Sequence, residues 1–288
     1  MLLHFDDEHP YAVRLAAAAG LSAARIEQHR FPDGELKLRL PARLPARVVV
    51  LRSLHQPNEK LVGLLLAARA ARELGARELT LVAPYLAYMR QDAAFATGEA
   101  VSQRIVGGWL AQLFDGVVTI DPHLHRISSL REAIPVEVAQ ALSAAPLLGA
   151  ALRGSCTWML GPDAESAPWV HAAAAAAGCP SAVCSKQRSS DLDVEVTLPE
   201  ADLTGHHVVV VDDIASTGRT LAAVAGQVLA AGARRVDVAV THALLVGDAE
   251  ATMRSAGVEL FISTDTVPHA SNRVSTVALV AKALQRLP

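Results

Sequence analysis

The sequence predicts an α/β protein of two tandem domains, each with a mostly parallel sheet flanked by helices. Three observations predict it. Short runs of Val, Leu and Ile alternate with Ala/Leu-rich segments along the whole chain. A unit of strand, loop, helix, Gly-Ala-Arg and strand occurs twice, with nearly equal spacing. At 288 residues the chain is long for one core and comfortable for two.

Composition excludes several classes of function. A net charge of -3 and a pI near 6.4 give no basic footprint for nucleic acid. Mean hydropathy is +0.29, but the apolar content is Ala and Val in short runs, none of membrane-spanning length. The opening Met-Leu-Leu-His-Phe-Asp-Asp-Glu is acidic, so no signal peptide is expected. Cys156, Cys179 and Cys184 are an odd set without metal-ligand spacing. Free thiols in a cytoplasmic protein are the expectation.

The elements follow in chain order. Phe31-Pro32-Asp33-Gly34-Glu35 has the composition of a turn and leads into the alternating strand Leu36-Lys37-Leu38-Arg39-Leu40. Val48-Val49-Val50-Leu51 reads as a strand, followed by a polar loop, a helix through residues 64–74 and a strand over 79–83. Residues 117–120 form another strand, leading into Asp121-Pro122-His123-Leu124-His125. Pro146, Gly149 and Gly154 cluster near residues 147–154 and mark the boundary, giving domains over 1–147 and 148–288. Residues 172–177 are all Ala and read as a helix that Gly178 ends. The repeat then returns: strand 208–211, loop, helix through 228, Gly232-Ala233-Arg234 and strand 236–240. Gly75 and Gly232 stand where glycine ends a helix.

The second copy of the loop carries chemistry. Four Val residues lead into Asp212-Asp213-Ile214-Ala215-Ser216-Thr217-Gly218-Arg219-Thr220 and then an Ala-rich helix. A loop between a parallel strand's carboxyl end and a helix N-terminus gathers backbone N–H groups around an anion. Two carboxylates there repel a phosphate unless they hold sugar hydroxyls or a divalent metal. The pairing points to a ligand with a phosphate at one end and a diol at the other, the shape of a phosphorylated ribose. A surface turn with an N-cap is the plain alternative. The first copy has Arg52-Ser53-Leu54-His55-Gln56-Pro57 in place of the acids, so a loss of sugar-phosphate binding is expected there.

The acidic loop resembles the phosphoribosyl-pyrophosphate-binding loop of type I phosphoribosyltransferases and ribose-phosphate pyrophosphokinases. The blocks around Phe31, Arg52–Asn58, Arg90, His123, Asp163 and Lys186 occur in the order found in the pyrophosphokinases, and the resemblance runs from Phe31 to about Pro268. It implies two type I phosphoribosyltransferase-like domains with the active site between them. The implied enzyme is a ribose-phosphate diphosphokinase, which transfers the β,γ-diphosphoryl group of ATP to the 1-hydroxyl of ribose 5-phosphate. Carried across, Phe31 stacks on adenine, Asp33 and Glu35 contact the base edge and ribose, and Arg90 and Gln91 grip the nucleotide from the other side. A planar guanidinium against an adenine face is sound physics. His123 and Asp163 hold the Mg²⁺ on the ATP phosphates. Lys186 and Arg188 lie on a flap and supply cations to the transferred group. Asp212 and Asp213 hold the ribose hydroxyls, while Ser216, Thr217, Gly218 and Thr220 bind the 5-phosphate. A homodimer or larger homo-oligomer is also implied.

The chain departs from the family's pattern at Glu165, Ser216, Arg219 and Ala93-Ala94, while Phe95, Gly98, Glu99 and Ser102 resemble the archaeal-type branch. Two other readings stand beside the main one. One is a phosphoribosyltransferase that consumes phosphoribosyl pyrophosphate. The other is a non-catalytic regulatory paralogue that binds nucleotide or sugar phosphate.

Overall fold

The computed structural model describes residues 1–188 and 194–287, without the side chains of residues 186–188, 194 and 195. Residues 189–193 of the polar stretch, and the Lys186 and Arg188 side chains, lie outside the described residues. The chain forms two compact units, Met1–Leu142 with Val277–Pro288, and Ser143–Thr276.

The first unit is built on β1 (Leu2–His4), β2 (Ala23–Arg25), β5 (Arg47–Leu51), β6 (Glu78–Ala83), β7 (Gly116–Ile120) and β8 (Val138–Leu142), with a separate hairpin of β3 (Glu27–Arg30) and β4 (Leu36–Arg39). The sheet runs β2-β1-β5-β6-β7-β8, and every pairing in it is parallel. Parallel pairing demands crossovers, supplied by α1 (His9–Ala19), α2 (Pro57–Glu73), α3 (Ser102–Ala111) and α4 (Leu130–Ala133). Helices on the faces bury the strands from both sides, so Val48, Val50, Leu79, Leu81, Val117 and Val118 are all interior. The Gly75 that follows α2 has φ +114°, a left-handed value only glycine adopts without strain.

The second unit repeats the plan. Its strands are β9 (Trp158–Gly161), β10 (Ser181–Val183), β13 (His207–Ala215), β14 (Arg235–Ala243), β15 (Val258–Thr264) and β16 (Asn272–Val274). The sheet runs β10-β9-β13-β14-β15-β16, again wholly parallel, so position matches position in the two units. Its helices are α5 (Ala145–Ala151), α6 (Ala167–Ala177), α7 (Arg219–Ala230) and α8 (Ala249–Ser255). A two-stranded antiparallel ribbon of β11 (Ser185–Arg188) and β12 (Val194–Thr197) lies between β10 and β13 in the chain, the place the β3–β4 hairpin takes in the first unit.

The two-domain α/β architecture expected from the repeat is present. Two details differ. The β13 strand does not stop at the acids but continues through Asp212 and Asp213 to Ala215, in register with β14 as far as Ala243. Its parallel neighbour is equally long, so the ladder carries the polar residues with it. The final helix, α9 (Val277–Leu284), belongs to the first unit, whereas the sequence assigned all of 148–288 to the second domain. It buries Val277, Val280, Ala281 and Leu284, packs against α1, and Gln285 donates from its side chain to the carbonyl of Ala18 at 3.1 Å. An apolar helix face docks where a matching face is open, and adjacency in sequence does not decide which.

Candidate active site

In each unit the order places the first strand beside the third, with the second on the far side. Connections leave these two central strands in opposite directions and open a crevice at their carboxyl ends, the usual ligand position in such sheets. In the second unit the crevice lies between β9 and β13. Asp163 follows β9, and Asp212 and Asp213 lie near the end of β13, so the sheet order brings three sequence-predicted acids to one place.

Their electrostatics follow from that crowding. Asp213 is only 3% exposed. Asp212 is half-buried at its surface, but burial pushes its carboxyl well above the usual range, helped next by the Asp213 charge and then by Asp163. Asp163 also caps the turn at residues 164–166, accepting from the backbone N–H of Glu165 at 3.1 Å and of Ser166 at 3.3 Å. A site of this kind favours anything that brings a proton, hydroxyl donors or a cation. Glu165, the departure from the family's Gly, is exposed.

The loop beyond β13 is shaped by Gly218. Its φ is +71°, and a Cβ there would lie 3.0 Å from the Ala249 carbonyl oxygen and 3.2 Å from the Met253 side chain, both on α8. Glycine is therefore required twice over, by backbone conformation and by space. The helix α7 begins directly at Arg219, two residues before the Leu221 start suggested by the Ala-rich run. Its first-turn N–H groups have no partners within the helix and face the loop of Ser216, Thr217 and Gly218, with Thr220 in that turn. Arg219 is exposed, so its bulk is accommodated in solvent.

The first unit holds the nucleotide-type blocks. Phe31, Asp33 and Glu35 lie at the tip of the β3–β4 hairpin, all exposed. The turn is closed by hydrogen bonds from Phe31 N–H to the Glu35 carbonyl and from Gly34 N–H to the Phe31 carbonyl, both 2.9 Å. Lys37 lies over the Phe31 ring, His29 meets its edge, and an Arg30–Glu59 ion pair ties the hairpin to α2. Arg90 and Gln91 follow β6; Arg90 is exposed, and Gln91 donates from its side chain to the Ala93 carbonyl at 3.0 Å. Asp92 pairs with Arg126 at 3.2 Å, and Arg126 lies over the Phe95 ring, so the loops after β6 and β7 are joined.

His123 follows β7 in a backbone that is left-handed at two non-glycine residues, Asp121 (φ +39°) and His123 (φ +50°). Such values persist only where surroundings impose them, and they cluster at functional sites. His125 carries no role in the sequence motifs above. Its ring stands edge-on to His123 with centroids 3.9 Å apart, and its Nε2 lies 2.9 Å from the His123 Nε2. The spacing of two residues in His-Leu-His was the available signal. Imidazole nitrogens such as those of His123 and His125 are divalent-cation donors, and so, within the second unit, are the carboxylates of Asp163, Asp212 and Asp213. Lys186 and Arg188 are placed by backbone alone, in β11, paired with Val196 and Val194 of β12.

Both sheets have the strand plan of a phosphoribosyltransferase-type domain, and the second crevice has its acidic strand end and phosphate-type loop. Residues 1–113 match the family described as the N-terminal domain of ribose phosphate pyrophosphokinase, and residues 145–270 match the phosphoribosyl transferase domain. A ribose-phosphate pyrophosphokinase of Methanopyrus kandleri is 36% identical over 277 residues, covering 95% of this chain and 94% of its own. Ribose-phosphate pyrophosphokinase 2 of Archaeoglobus fulgidus is 37% identical over 271 residues, covering 94% and 95%. A crystal structure of phosphoribosylpyrophosphate synthetase from Mycobacterium smegmatis superimposes with a TM-score of 0.84 at 23% identity, over 99% of this chain and 97% of that one, and establishes the shared fold. The chain belongs to the ribose-phosphate pyrophosphokinase family.

Proposed function

We propose that this protein is a ribose-phosphate diphosphokinase, forming 5-phosphoribosyl 1-pyrophosphate and AMP from ribose 5-phosphate and ATP. The observation that carries the reading is similarity to curated pyrophosphokinases across both units, the nucleotide-type first unit included. A phosphoribosyltransferase has no need of that first unit.

In this reading the β13 loop receives ribose 5-phosphate. Ser216, Thr217, Gly218 and Thr220 surround the 5-phosphate at the positive end of α7. Asp212 and Asp213 accept hydrogen bonds from the ribose hydroxyls, which offsets the repulsion within the acidic crevice. Phe31, Asp33, Glu35, Arg90 and Gln91 bind ATP. The 1-hydroxyl oxygen then attacks the β-phosphorus and gives up its proton to solvent, while the bond from that phosphorus to the α-phosphate oxygen breaks and AMP departs. Lys186 and Arg188 stabilise the charge spread over the transferred diphosphoryl group. His123 and Asp163 are the proposed Mg²⁺ ligands, the ion neutralising phosphate charge when bound. A homo-oligomer and a cytoplasmic location complete the proposal; among the described residues no helix is long and apolar enough to cross a membrane.

The test is to incubate the protein with ATP, Mg²⁺ and ribose 5-phosphate and quantify AMP and phosphoribosyl pyrophosphate. Equal amounts of the two products, both dependent on ribose 5-phosphate, are expected. Nucleotide binding without AMP formation would establish the regulatory paralogue instead.

A further inference from the structure

Cys156 and Cys179 take no part in the reaction proposed above. Cys156 precedes β9 by two residues, and Cys179 follows the left-handed Gly178 (φ +79°) that ends α6. Their sulfurs lie 3.7 Å apart, although 23 residues separate them in sequence. Regular structure holds both ends. The Cys156 N–H donates to the Leu152 carbonyl at 3.4 Å, just past α5, and the Cys179 N–H donates to the Ala174 carbonyl at 3.2 Å in α6. These helices pack without clearance: a Cβ on Gly149 would lie 1.9 Å from the Ala173 carbonyl oxygen. Helix packing therefore sets the approach of the sulfurs.

The environment divides the roles. Cys156 is 7% exposed, while Cys179 is half-buried and the more accessible of the two. Burial, and then the neighbouring Cys179, push the Cys156 thiol up to about 12, so Cys156 stays protonated and the more accessible Cys179 meets an oxidant first. Cys184, buried among Leu160, Val196 and Val208, belongs to a different apolar cluster from Cys156 and serves as an internal control.

We propose that Cys156 and Cys179 form an oxidative modification site, at which peroxide converts the dithiol into an intramolecular disulfide joining the end of α6 to the amino end of β9. The Cys179 thiolate attacks one peroxide oxygen; the O–O bond breaks, hydroxide leaves, and the sulfur becomes a sulfenic acid. The Cys156 sulfur then attacks the Cys179 sulfur, its thiol proton joins the departing hydroxide as water, and the S–S bond closes. Two thiols and one peroxide give one disulfide and two waters, with two electrons passing from sulfur to peroxide. The sulfurs must approach from 3.7 Å to about 2.0 Å for the bond to close.

The experiment treats the folded full chain with hydrogen peroxide, alkylates remaining thiols and maps peptides without reduction. The expected result is one cross-linked pair joining positions 156 and 179, reversed by a thiol reductant, with Cys184 alkylated only after denaturation. The oxidised protein should melt several degrees above the reduced one, because the cross-link restricts the unfolded chain. Cys179→Ser should abolish both the cross-link and the shift in melting temperature. In Cys156→Ser, Cys179 should be trapped as sulfenic acid by dimedone. Oxidation of Cys179 to a sulfinic acid while Cys156 remains a free thiol would overturn the proposal, as would a cross-link that includes Cys184 or a lowered melting temperature. As Cys179 is only half-buried, its Ser variant keeps the test available even if the buried Cys156 variant does not fold.

Discussion

The same crevice occurs twice in this molecule and is filled in opposite ways. In the second unit, between β9 and β13, the residues converging on it are acids, and burial and mutual repulsion leave Asp212 short of compensating charge. In the first unit, between β1 and β5, the equivalent positions hold Asp7 and Glu8 after one strand and Arg52 after the other. These compensate one another. Arg52 pairs with Asp7 and stacks on Phe5, and the Lys60 ammonium lies 3.3 Å from Asp7 and donates to the Ser53 carbonyl at 2.8 Å. The Ser53 N–H donates to Glu8 at 2.6 Å. One crevice is closed by its own ion pairs; in the other, burial and neighbouring acids raise the proton affinity of Asp212. Duplication of a fold thus preserves the geometry of a site while the charges in it decide whether anything can enter.

Substitutions can break this contrast, the largest effects first. On the open side, Lys186→Ala should lower turnover by about a thousandfold with little change in ribose 5-phosphate binding, the scale for losing a cation from a phosphoryl-transfer transition state. Single-turnover rates measure it, and near-normal turnover would remove the flap assignment. On the closed side, Arg52→Ala should cost about 1–3 kcal/mol of stability, because Asp7 keeps only Lys60 and the guanidinium packed on Phe5 is lost. Chemical denaturation reads that loss, and the KM for ribose 5-phosphate in folded protein should not move. Asp213→Asn should raise the KM for ribose 5-phosphate about tenfold or more, by weakening a charge-assisted hydrogen bond, with the ATP KM nearly unchanged. An effect confined to ATP would contradict the diol assignment.

The smallest effect is in pH. Burial above all pushes Glu8 from its ordinary 4.5 up to about 8, assisted by Asp7 and opposed by Arg52 and Lys60. The folded protein therefore holds this proton where the unfolded chain has lost it, and stability from Glu8 declines as pH rises between about 4.5 and about 8. His55 works in the other direction. Burial, then Lys60, lower it from 6.5 to about 4, so its contribution grows as pH rises from about 4 to 6.5. The two oppose each other below 6.5 and Glu8 prevails above it. The melting temperature should fall between pH 6.5 and 8, and Glu8→Gln should flatten that slope.

Much of this was legible in the sequence. All-Val strands, the repeated Gly-Ala-Arg and the acidic loop are local signals, and they located both β5–α2–β6 and β13–α7–β14. The Asp163 position was also legible, through the residues that follow a buried strand. Less visible was β3, whose residues Glu27–Arg30 are polar and exposed on both faces and so lack alternation. The closed crevice was not visible at all. By sequence, Asp7 and Glu8 belong only to an acidic opening and Arg52 to the loop that lacks the acids; their pairing crosses 45 residues and depends on strand order. His125 was missed because a second imidazole matters only when the backbone turns it toward the first. The docking of α9 depends on which unit leaves an apolar face uncovered, which no window of sequence records.

That last helix has a consequence for biosynthesis. Residues 277–288 complete the first unit, yet they leave the ribosome after every residue of the second. The second unit is contiguous in sequence, while the first needs residues 277–288 before the apolar side of α1 is covered. A chain ended before Val277 would hold every residue of the second unit but leave α1 of the first without the helix that packs on it.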